Sequence, residues 1–338
     1  MSELRKDPIT ERWVIVGTSP VGSVSYPGAT RPPERGSCPF CPGNEAKTPP
    51  EILAFREEGS RANGPGWSVR VFANQFPILR IEENLSPRGV GMFDMMNGMG
   101  ANEVFVETPE HDQGLADLSE SQIEKVLRAY RDRILDLQKD RRLRYVLVFK
   151  NHGWEAGAFL AHPHSQLIAL PIIPKAVMEE LRGAKKYFQR KERCVFCDMI
   201  RQEMEQDVRV VAQSQHFFSY TPFASRFPFE VCLLPKRHDC CFTNISKEEM
   251  IDLARLLKAV LASLSGTLGD PAYNFLLHTA PNSISNGEEI RSMEEHFHWH
   301  LEIMPRLIRV AGLGWGSGLY LNPTSPEEAA VRLKEGLT

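Results

Sequence analysis

The sequence lacks an excess of basic residues, and it lacks any apolar run long enough to cross a membrane. It contains 40 Lys and Arg against 43 Asp and Glu, which gives a net charge of −3 and a pI near 6.4. Nucleic-acid-binding surfaces are usually basic, and a membrane-spanning helix needs about 20 apolar residues. The first ten residues are rich in charge, unlike a secretory signal. We therefore expect no nucleic-acid partner, no membrane segment and a cytoplasmic location.

Cysteine is scarce and unevenly distributed. There are seven cysteines, an odd number, and four of them form two C-x-x-C pairs. Without a secretory signal, such pairs are typical of metal-binding thiolates rather than of disulfides. Apolar residues make up 42% of the chain and charged residues 25%, which is typical of a globular protein with a buried core.

The second half of the chain repeats the order of the first half. Each half has a C-x-x-C pair, a strand that ends in Pro and then His, an amphipathic helix, a further strand and a histidine-rich strand. The matching stretches are 38–41 with 194–197, 104–111 with 231–238, and 162–166 with 298–302. This repeat predicts an α+β fold with two copies of one unit, each an antiparallel meander sheet with one long helix. We assign the halves to residues 1–175 and 176–338.

Local patterns predict where the long helices begin. Ser119 with Gln122, and Ser246 with Glu249, have the spacing of a capping box, and Ser325 precedes a last short helix. Gly-rich stretches without an apolar period are predicted to be loops. These are residues 18–36, 86–100 and 311–320.

The repeated cysteines and histidines predict two metal sites. Thiolate and imidazole ligands in a set of four suit tetrahedral zinc. The two sets are Cys38, Cys41, His111 and His162, and Cys194, Cys197, His238 and His298. In the second set His296, His298 and His300 compete for one position, with Cys240 as a reserve ligand. The alternative is that these are ordinary buried thiols and hydrogen-bonded histidines.

The stretch from His162 to Gln166 reads as a strand with three polar residues on one face. Alternation places His162, His164 and Gln166 together, and Pro163 suggests a position near a sheet edge or rim. If His162 binds a metal, His164 is left as a neutral imidazole that can attack phosphorus. Gln166 can then hold a phosphoryl oxygen. Taken alone, His164 fits a further ligand or a buried histidine equally well, and Gln166 on the same face shifts the balance towards a nucleophile. The Gly-rich run 151–158 offers backbone N–H groups for a diphosphate.

A resemblance to a known family rests on several of these motifs together. They are Asp7-Pro8, Arg12-Trp13-Val14, Cys38-Pro39-Phe40-Cys41, Phe149-Lys150-Asn151, His162-Pro163-His164-Ser165-Gln166 and His298-Trp299-His300. Over nearly the whole chain the sequence resembles the galactose-1-phosphate uridylyltransferase family of the histidine triad superfamily. Ser165, the Ala169-Leu170-Pro171 sequel and Asn322-Pro323 resemble most the branch that contains ADP-glucose phosphorylase.

The resemblance implies a nucleotidyltransferase with ping-pong kinetics and two histidine-triad-like halves. His164 would take a nucleoside monophosphate from a nucleotide-sugar and pass it to a hexose 1-phosphate or to phosphate, with Gln166 assisting. The implied substrate-binding residues are Asn74, Gln75, Asn151, Gly157, Ala158 and Phe159. The family usually has an acidic residue where Gln75 stands and a serine where Phe159 stands. Gln75 leaves the choice between uridine and adenosine open. The stretch from Gly312 to Ser317 departs from the family's sugar-recognition loop, so the identity of the hexose is open as well.

The resemblance also implies a structural zinc at the first Cys/His set, zinc or iron at a second site, and a homodimer. Two other functions are considered beside it. A histidine-triad hydrolase would resolve the same intermediate with water, but it would typically carry a third histidine where Gln166 stands. A zinc-stabilised binding module for nucleic acid is the third, and the acidic pI and the lack of a Lys/Arg stripe in the sequence argue against it.

Overall fold

The computed structural model describes residues 2–17, 37–282 and 293–337, so the predicted loop 18–36 lies outside the described residues. The strands are β1 Glu3–Lys6, β2 Trp13–Val16, β3 Glu51–Arg56, β4 Trp67–Ala73, β5 Arg88–Val90, β6 Phe93–Asn97, β7 Ala101–Val106, β8 Tyr145–His152, β9 His164–Leu170, β10 Val210–Gln213, β11 Phe217–Tyr220, β12 Val231–Pro235, β13 Tyr273–His278 and β14 His300–Pro305. The α-helices are α1 Glu120–Leu137, α2 Lys175–Lys191, α3 Val195–Gln206, α4 Lys247–Leu268, α5 Met293–His296, α6 Gly312–Ser317 and α7 Pro326–Glu335.

One antiparallel sheet runs through both halves of the chain. Its strand order is β10-β11-β12-β14-β13-β8-β9-β7-β4-β3, so each half contributes five adjacent strands. The halves meet where β13 pairs with β8, with Tyr273 opposite His152 and Leu277 opposite Val148. The predicted α+β class and the duplicated unit are confirmed. A simple meander would place the last strand of each half beside the preceding strand only. Instead β9 lies between β7 and β8, and β14 lies between β12 and β13, so both are inside the sheet.

Helices α1 and α4 cover the sheet and pack against each other. In α1, Ile123, Val126, Leu127, Tyr130 and Ile134 are buried, because the 3.6-residue period places them on one face. They join one continuous apolar core with side chains from both halves of the sheet. In the part of the chain that is described, no helix is both long and apolar enough to span a membrane.

The two predicted capping boxes differ in the structure. At α4, Ser246 accepts from the backbone of Glu249 and the Glu249 carboxylate accepts from the backbone of Ser246, so the box is complete. At α1, Ser119 accepts from Gln122, but the Gln122 side chain donates to the carbonyl oxygens of Ser68 and Glu107. The prediction of a reciprocal box at α1 is therefore wrong, because this glutamine ties the start of the helix to the sheet instead.

Two of the predicted loops contain regular structure. Residues 86–100 include β5 and β6, which pair with each other and join β1 and β2 in a small sheet of order β2-β1-β6-β5. Gly91, at a φ of +60°, makes the turn between β5 and β6. Residues 311–320 contain the short helix α6. Strands β5 and β6 are too short to show alternation, and the pairing of β6 with β1 is not visible in the local sequence.

Candidate active site and metal centres

The first predicted metal set comes together beside the start of β9. The ligand atoms of Cys38, Cys41, His111 and His162 lie within 4.8 Å of one another. The Cys41 Sγ is 3.3 Å from His111 Nδ1 and 3.5 Å from His162 Nδ1. In a tetrahedral zinc site with usual bond lengths, sulfur and nitrogen ligands are roughly 3.5 Å apart. The donor set and its spacing therefore fit zinc.

The surroundings of His162 set its tautomer and its protonation state, and both favour binding of a cation. Its Nε2 lies 2.8 Å from the Thr108 carbonyl oxygen, which can only accept, so Nε2 carries the proton and Nδ1 has the lone pair. Burial lowers the pKa of His162 to about 4, although the Thr108 carbonyl opposes the shift. The imidazole is therefore neutral at physiological pH, as a metal ligand must be.

The second set repeats this geometry in the other half. The Cys197 Sγ lies 3.3 Å from His238 Nδ1 and 3.8 Å from His298 Nδ1, and the ligand atoms of the set, which includes Cys194, lie within 4.8 Å of one another. Hydrogen bonding from Cys197 and the two imidazoles holds the pKa of Cys194 well below its usual value, despite burial. A thiolate is thus favoured there, and a soft divalent cation such as zinc fits this set too.

The competing candidates for the second set lie elsewhere. Of His296, His298 and His300, only His298 groups with Cys194 and Cys197. The Cys240 Sγ lies 3.3 Å from the Cys241 Sγ, and both group with Asp239 instead.

His164 opens β9 with its ring fixed in one orientation. Its Nδ1 donates to the His162 carbonyl oxygen at 2.8 Å, so Nε2 carries the lone pair. Burial lowers the pKa of His164 and keeps the ring neutral. The edge of the Phe40 ring packs against it, with centroids 5.4 Å apart. Of the two expected positions, a sheet edge is wrong, since β9 pairs with β7 and β8, whereas Pro163 lies at the rim of the sheet, directly before the first residue of β9.

A cavity of about 240 Å³ opens beside His164. Residues of the first half form most of its lining, and Asp270 comes from the second half. The lining residues are Lys150, Asn151, His152, Gly153, Trp154, Ala158, Leu160, Ala161, His162, Pro163, His164 and Asp270. Four predicted residues therefore meet there, namely Asn151, Ala158, His162 and His164. A wider depression of about 620 Å³ lies at the start of α4, away from these residues.

The predicted phosphate loop is a compact turn between β8 and β9. Gly153 and Gly157 have φ angles of +79° and +92°, and a Cβ on Gly153 would lie 2.7 Å from the Cβ of Ala272. The N–H groups of Gly157 and Ala158 donate to the carbonyl oxygens of Trp154 and Gly153. These two backbone N–H groups are thus hydrogen-bonded within the turn itself.

The second half holds this loop in place. The Asn274 side-chain amide donates to Asn151 Oδ1 and to the Ala156 carbonyl oxygen, both at 2.9 Å. Asn151 Nδ2 in turn donates to the Gly157 carbonyl oxygen at 3.3 Å. Asn274 lies on β13, so the shape of the loop depends on contact between the halves.

The other predicted substrate residues do not line the cavity. Asn74 and Gln75 follow β4, where Asn74 Oδ1 accepts from the backbone of Phe76 and Gln75 is exposed. Phe159 lies in the loop and is largely exposed. Gln166 lies two residues beyond His164 on β9, opposite Val104 of β7 and Phe149 of β8.

Two groups of residues were missed from the sequence. A buried network under β9 links Lys150, Glu107, Tyr130 and Ser165. In the second half, Glu180, His278, His300 and Glu302 lie close enough to hold a cation. The sequence gives no local signal for this group, because Glu180 meets His278 and His300 only through the position of α2 in the fold.

Comparison with known proteins places the chain in a family. Residues 5–174 match the family model described as galactose-1-phosphate uridyl transferase, N-terminal domain, and residues 180–319 match the C-terminal domain of the same protein. The chain is 35% identical to ADP-glucose phosphorylase of Arabidopsis thaliana, over 98% of this chain and 92% of the relative. It is 32% identical to galactose-1-phosphate uridylyltransferase of Thermotoga maritima, over 99% of this chain and 98% of the relative.

Solved structures agree with these relatives. A structure of a uridylyltransferase matches with a TM-score of 0.81 at 31% identity, covering 99% of this chain and 98% of that one. The crystal structure of the Arabidopsis thaliana ADP-glucose phosphorylase with bound ADP-glucose matches with a TM-score of 0.77 at 35% identity, covering 99% of both chains. His164 has an unprotonated Nε2 beside a cavity, and the family models of both domains match. The chain therefore belongs to the galactose-1-phosphate uridylyltransferase family and is a nucleotidyltransferase.

Proposed function

We propose that the enzyme moves a nucleoside monophosphate from a nucleotide-sugar by two displacements at His164. The observation that supports this most strongly is the His164 ring, whose Nδ1–H is held by the His162 carbonyl at 2.8 Å while the ring lines the cavity. Nε2 attacks the α-phosphorus, and the P–O bond to the sugar 1-phosphate breaks. An oxygen of the acceptor phosphate then attacks the same phosphorus and releases His164, which gives ping-pong kinetics.

The halves are proposed to have different tasks. The half at residues 1–175 supplies the nucleophile and a structural zinc on Cys38, Cys41, His111 and His162. The half at 176–338 repeats the scaffold and binds a second cation, zinc or iron. In that half Glu180 lies beside the reactive nitrogen of the equivalent histidine, with its Oε2 3.9 Å from His300 Nε2. This supports a second half without catalysis of its own.

The nucleotide-sugar has two candidates, each supported by an observation. The uridylyltransferases among the relatives favour UDP-glucose with a hexose 1-phosphate as acceptor. The Arabidopsis thaliana relative, described with bound ADP-glucose, favours adenylyl transfer to phosphate, and Gln75 in place of an acidic residue agrees with it. Gln166 is proposed to hold a phosphoryl oxygen, and Asn74, Gln75, Asn151, Gly157, Ala158 and Phe159 are proposed to surround the substrate.

Direct detection of the covalent intermediate tests the proposal. The protein is incubated separately with UDP-glucose and ADP-glucose, and its intact mass is measured without acid, because phosphorus–nitrogen bonds to histidine are acid-labile. We expect a uridylyl or adenylyl adduct with one of them, and its mass identifies the base. If metal-replete protein forms no adduct with either, the proposed function is wrong.

A homodimer is also proposed, and the tail of the chain supports it. Several apolar side chains of residues 307–321 are exposed, with Trp315 80% and Leu321 74% accessible. Exposed apolar patches are typical of interaction sites. A cytoplasmic location is also proposed, and it agrees with two C-x-x-C pairs that meet histidines instead of forming disulfides.

We expect Trp315→Ser to weaken the dimer, because it removes a large apolar side chain from the contact between copies. Sedimentation velocity across a concentration series measures the effect as a rise in the dimer dissociation constant, by about tenfold or more. Val14→Ser, which changes an exposed apolar residue of the small sheet, serves as the control and should leave the constant unchanged. A wild-type protein that sediments as a monomer at all concentrations would contradict the proposal.

A further inference from the structure

A buried ion pair lies directly beneath the nucleophile strand. Glu107 is 0% and Lys150 is 1% exposed, and Lys150 Nζ lies 2.7 Å from Glu107 Oε2. The other carboxylate oxygen of Glu107 accepts from the Tyr130 hydroxyl at 3.3 Å, and that hydroxyl lies 2.6 Å from Ser165 Oγ. The pair is thus fully enclosed and hydrogen-bonded on both sides.

The ion pair also contacts the backbone of the nucleophile. Lys150 Nζ donates to the carbonyl oxygen of His164 at 3.1 Å. The backbone N–H of Glu107 donates to the carbonyl oxygen of Pro163 at 3.2 Å. Lys150 therefore fixes the main chain of His164, while the His162 carbonyl fixes its ring. Lys150 further lines the cavity in which the phosphates would lie.

The second half has an apolar residue in place of Lys150. By strand register, Lys150 of β8 corresponds to Leu277 of β13, and Ser165 of β9 corresponds to Leu301 of β14. Both leucines are buried. The same scaffold therefore folds with apolar side chains at these places. Burying two charges is costly, and apolar replacement of a buried ion pair is often neutral or stabilising.

We propose that Lys150, held by Glu107, is a positioning residue that fixes the His164 backbone for attack on the α-phosphorus. This inference rests on the proposed function, since it concerns the formation of the nucleotidyl intermediate. A nucleophile displaced by about 1 Å loses on the order of a hundredfold in rate. An ammonium anchored on two sides restrains the strand at the residue that reacts.

The pair is removed as a unit in Lys150→Met/Glu107→Gln, so that neither charge is left buried alone. The nucleotide-sugar that labels the wild type, UDP-glucose or ADP-glucose, is used over a range of concentrations. Intact mass then gives the rate of adduct formation at each concentration. We expect the maximal rate to fall by about 10- to 100-fold, while the KM changes by less than about threefold. Melting temperature and metal content should stay near the wild-type values.

A second buried ion pair provides the matched control. Arg133 and Glu103 join α1 to β7, with Nη2 and Oε1 2.6 Å apart, and neither residue lines the cavity. Arg133→Met/Glu103→Gln removes the same kinds of charge from the same half, and we expect it to leave both the rate and the KM within about threefold of wild type. A loss of rate equal to that of the first pair would show a general structural effect and overturn the inference.

Lys150→Arg provides an independent measurement should the double variant fail to fold. It keeps the charge beside Glu107, but a planar guanidinium does not reproduce the position of an ammonium nitrogen. We expect a similar fall in rate with the KM preserved. A variant that forms adduct at the wild-type rate overturns the inference and leaves the proposed function standing. A wild type without any adduct overturns both.

Discussion

Replacing His164 by asparagine is expected to lower kcat by about 10⁴-fold or more, as for other nucleophiles whose loss removes the covalent route. Asparagine retains an amide that can donate to the His162 carbonyl, so β9 should keep its register between β7 and β8. It has no basic nitrogen where Nε2 stands, and so no bond to phosphorus can form. The measurements are steady-state kcat and the intact mass after incubation with the nucleotide-sugar, which should show no adduct.

The second half supplies a closely matched control. His300 is buried like His164, and its Nδ1 donates to the carbonyl oxygen two residues before it, at 3.0 Å. His300→Asn should still form the adduct, because Glu180 faces this ring and the cavity lies beside the other one. If His300→Asn loses the adduct and His164→Asn keeps it, the two halves have been assigned the wrong tasks.

Replacing Cys38 by serine is expected to remove about one equivalent of zinc and to lower the free energy of unfolding by on the order of 5 kcal/mol. Zinc bound only in the folded state stabilises that state directly, and this site joins a loop, the segment after β7 and the start of β9. Elemental analysis gives the metal content, and urea unfolding gives the free energy. The variant should also be less active, since His162 is a proposed ligand and its carbonyl fixes the His164 ring.

Two further cysteine variants separate the metal from general packing. Cys197→Ser should lose the equivalent bound by the second half and keep the first. Cys232→Ala changes a buried cysteine of β12 outside both Cys/His sets, so it should keep both metals and lose only about 1 kcal/mol. Wild-type protein that is active without metal, or Cys38→Ser with full metal content, would contradict the assignment.

The parts of the site that were predictable are those with a local signal. The C-x-x-C spacing brings two thiols together in a single turn, and the repeat of the halves shows which histidines accompany them. Alternation along one strand places His164 on the same face as His162 and Gln166. The positions of α1, α4 and α7 followed from apolar spacing and from the capping residues Ser119, Ser246 and Ser325.

The parts that were missed depend on the order of strands in space. Lys150 on β8 meets Glu107 after β7 across the intervening β9, and no local pattern shows that β9 lies between them. Glu180 reaches His278 and His300 because α2 lies against the second half, and the local sequence does not show where α2 packs. Residues 86–100 form strands because β1 offers an edge, which their own sequence does not reveal.

The seam between β8 and β13 has a consequence for how activity is acquired during folding. Asn274 and Asn151 are 123 positions apart in the chain, yet their contact shapes the loop beside His164. Contacts between distant residues form slowly, because a long loop must first be closed. Each half can gain its own sheet and helix earlier, from closer neighbours. We therefore expect refolding protein to recover its far-ultraviolet dichroism before it recovers the ability to react with a nucleotide-sugar.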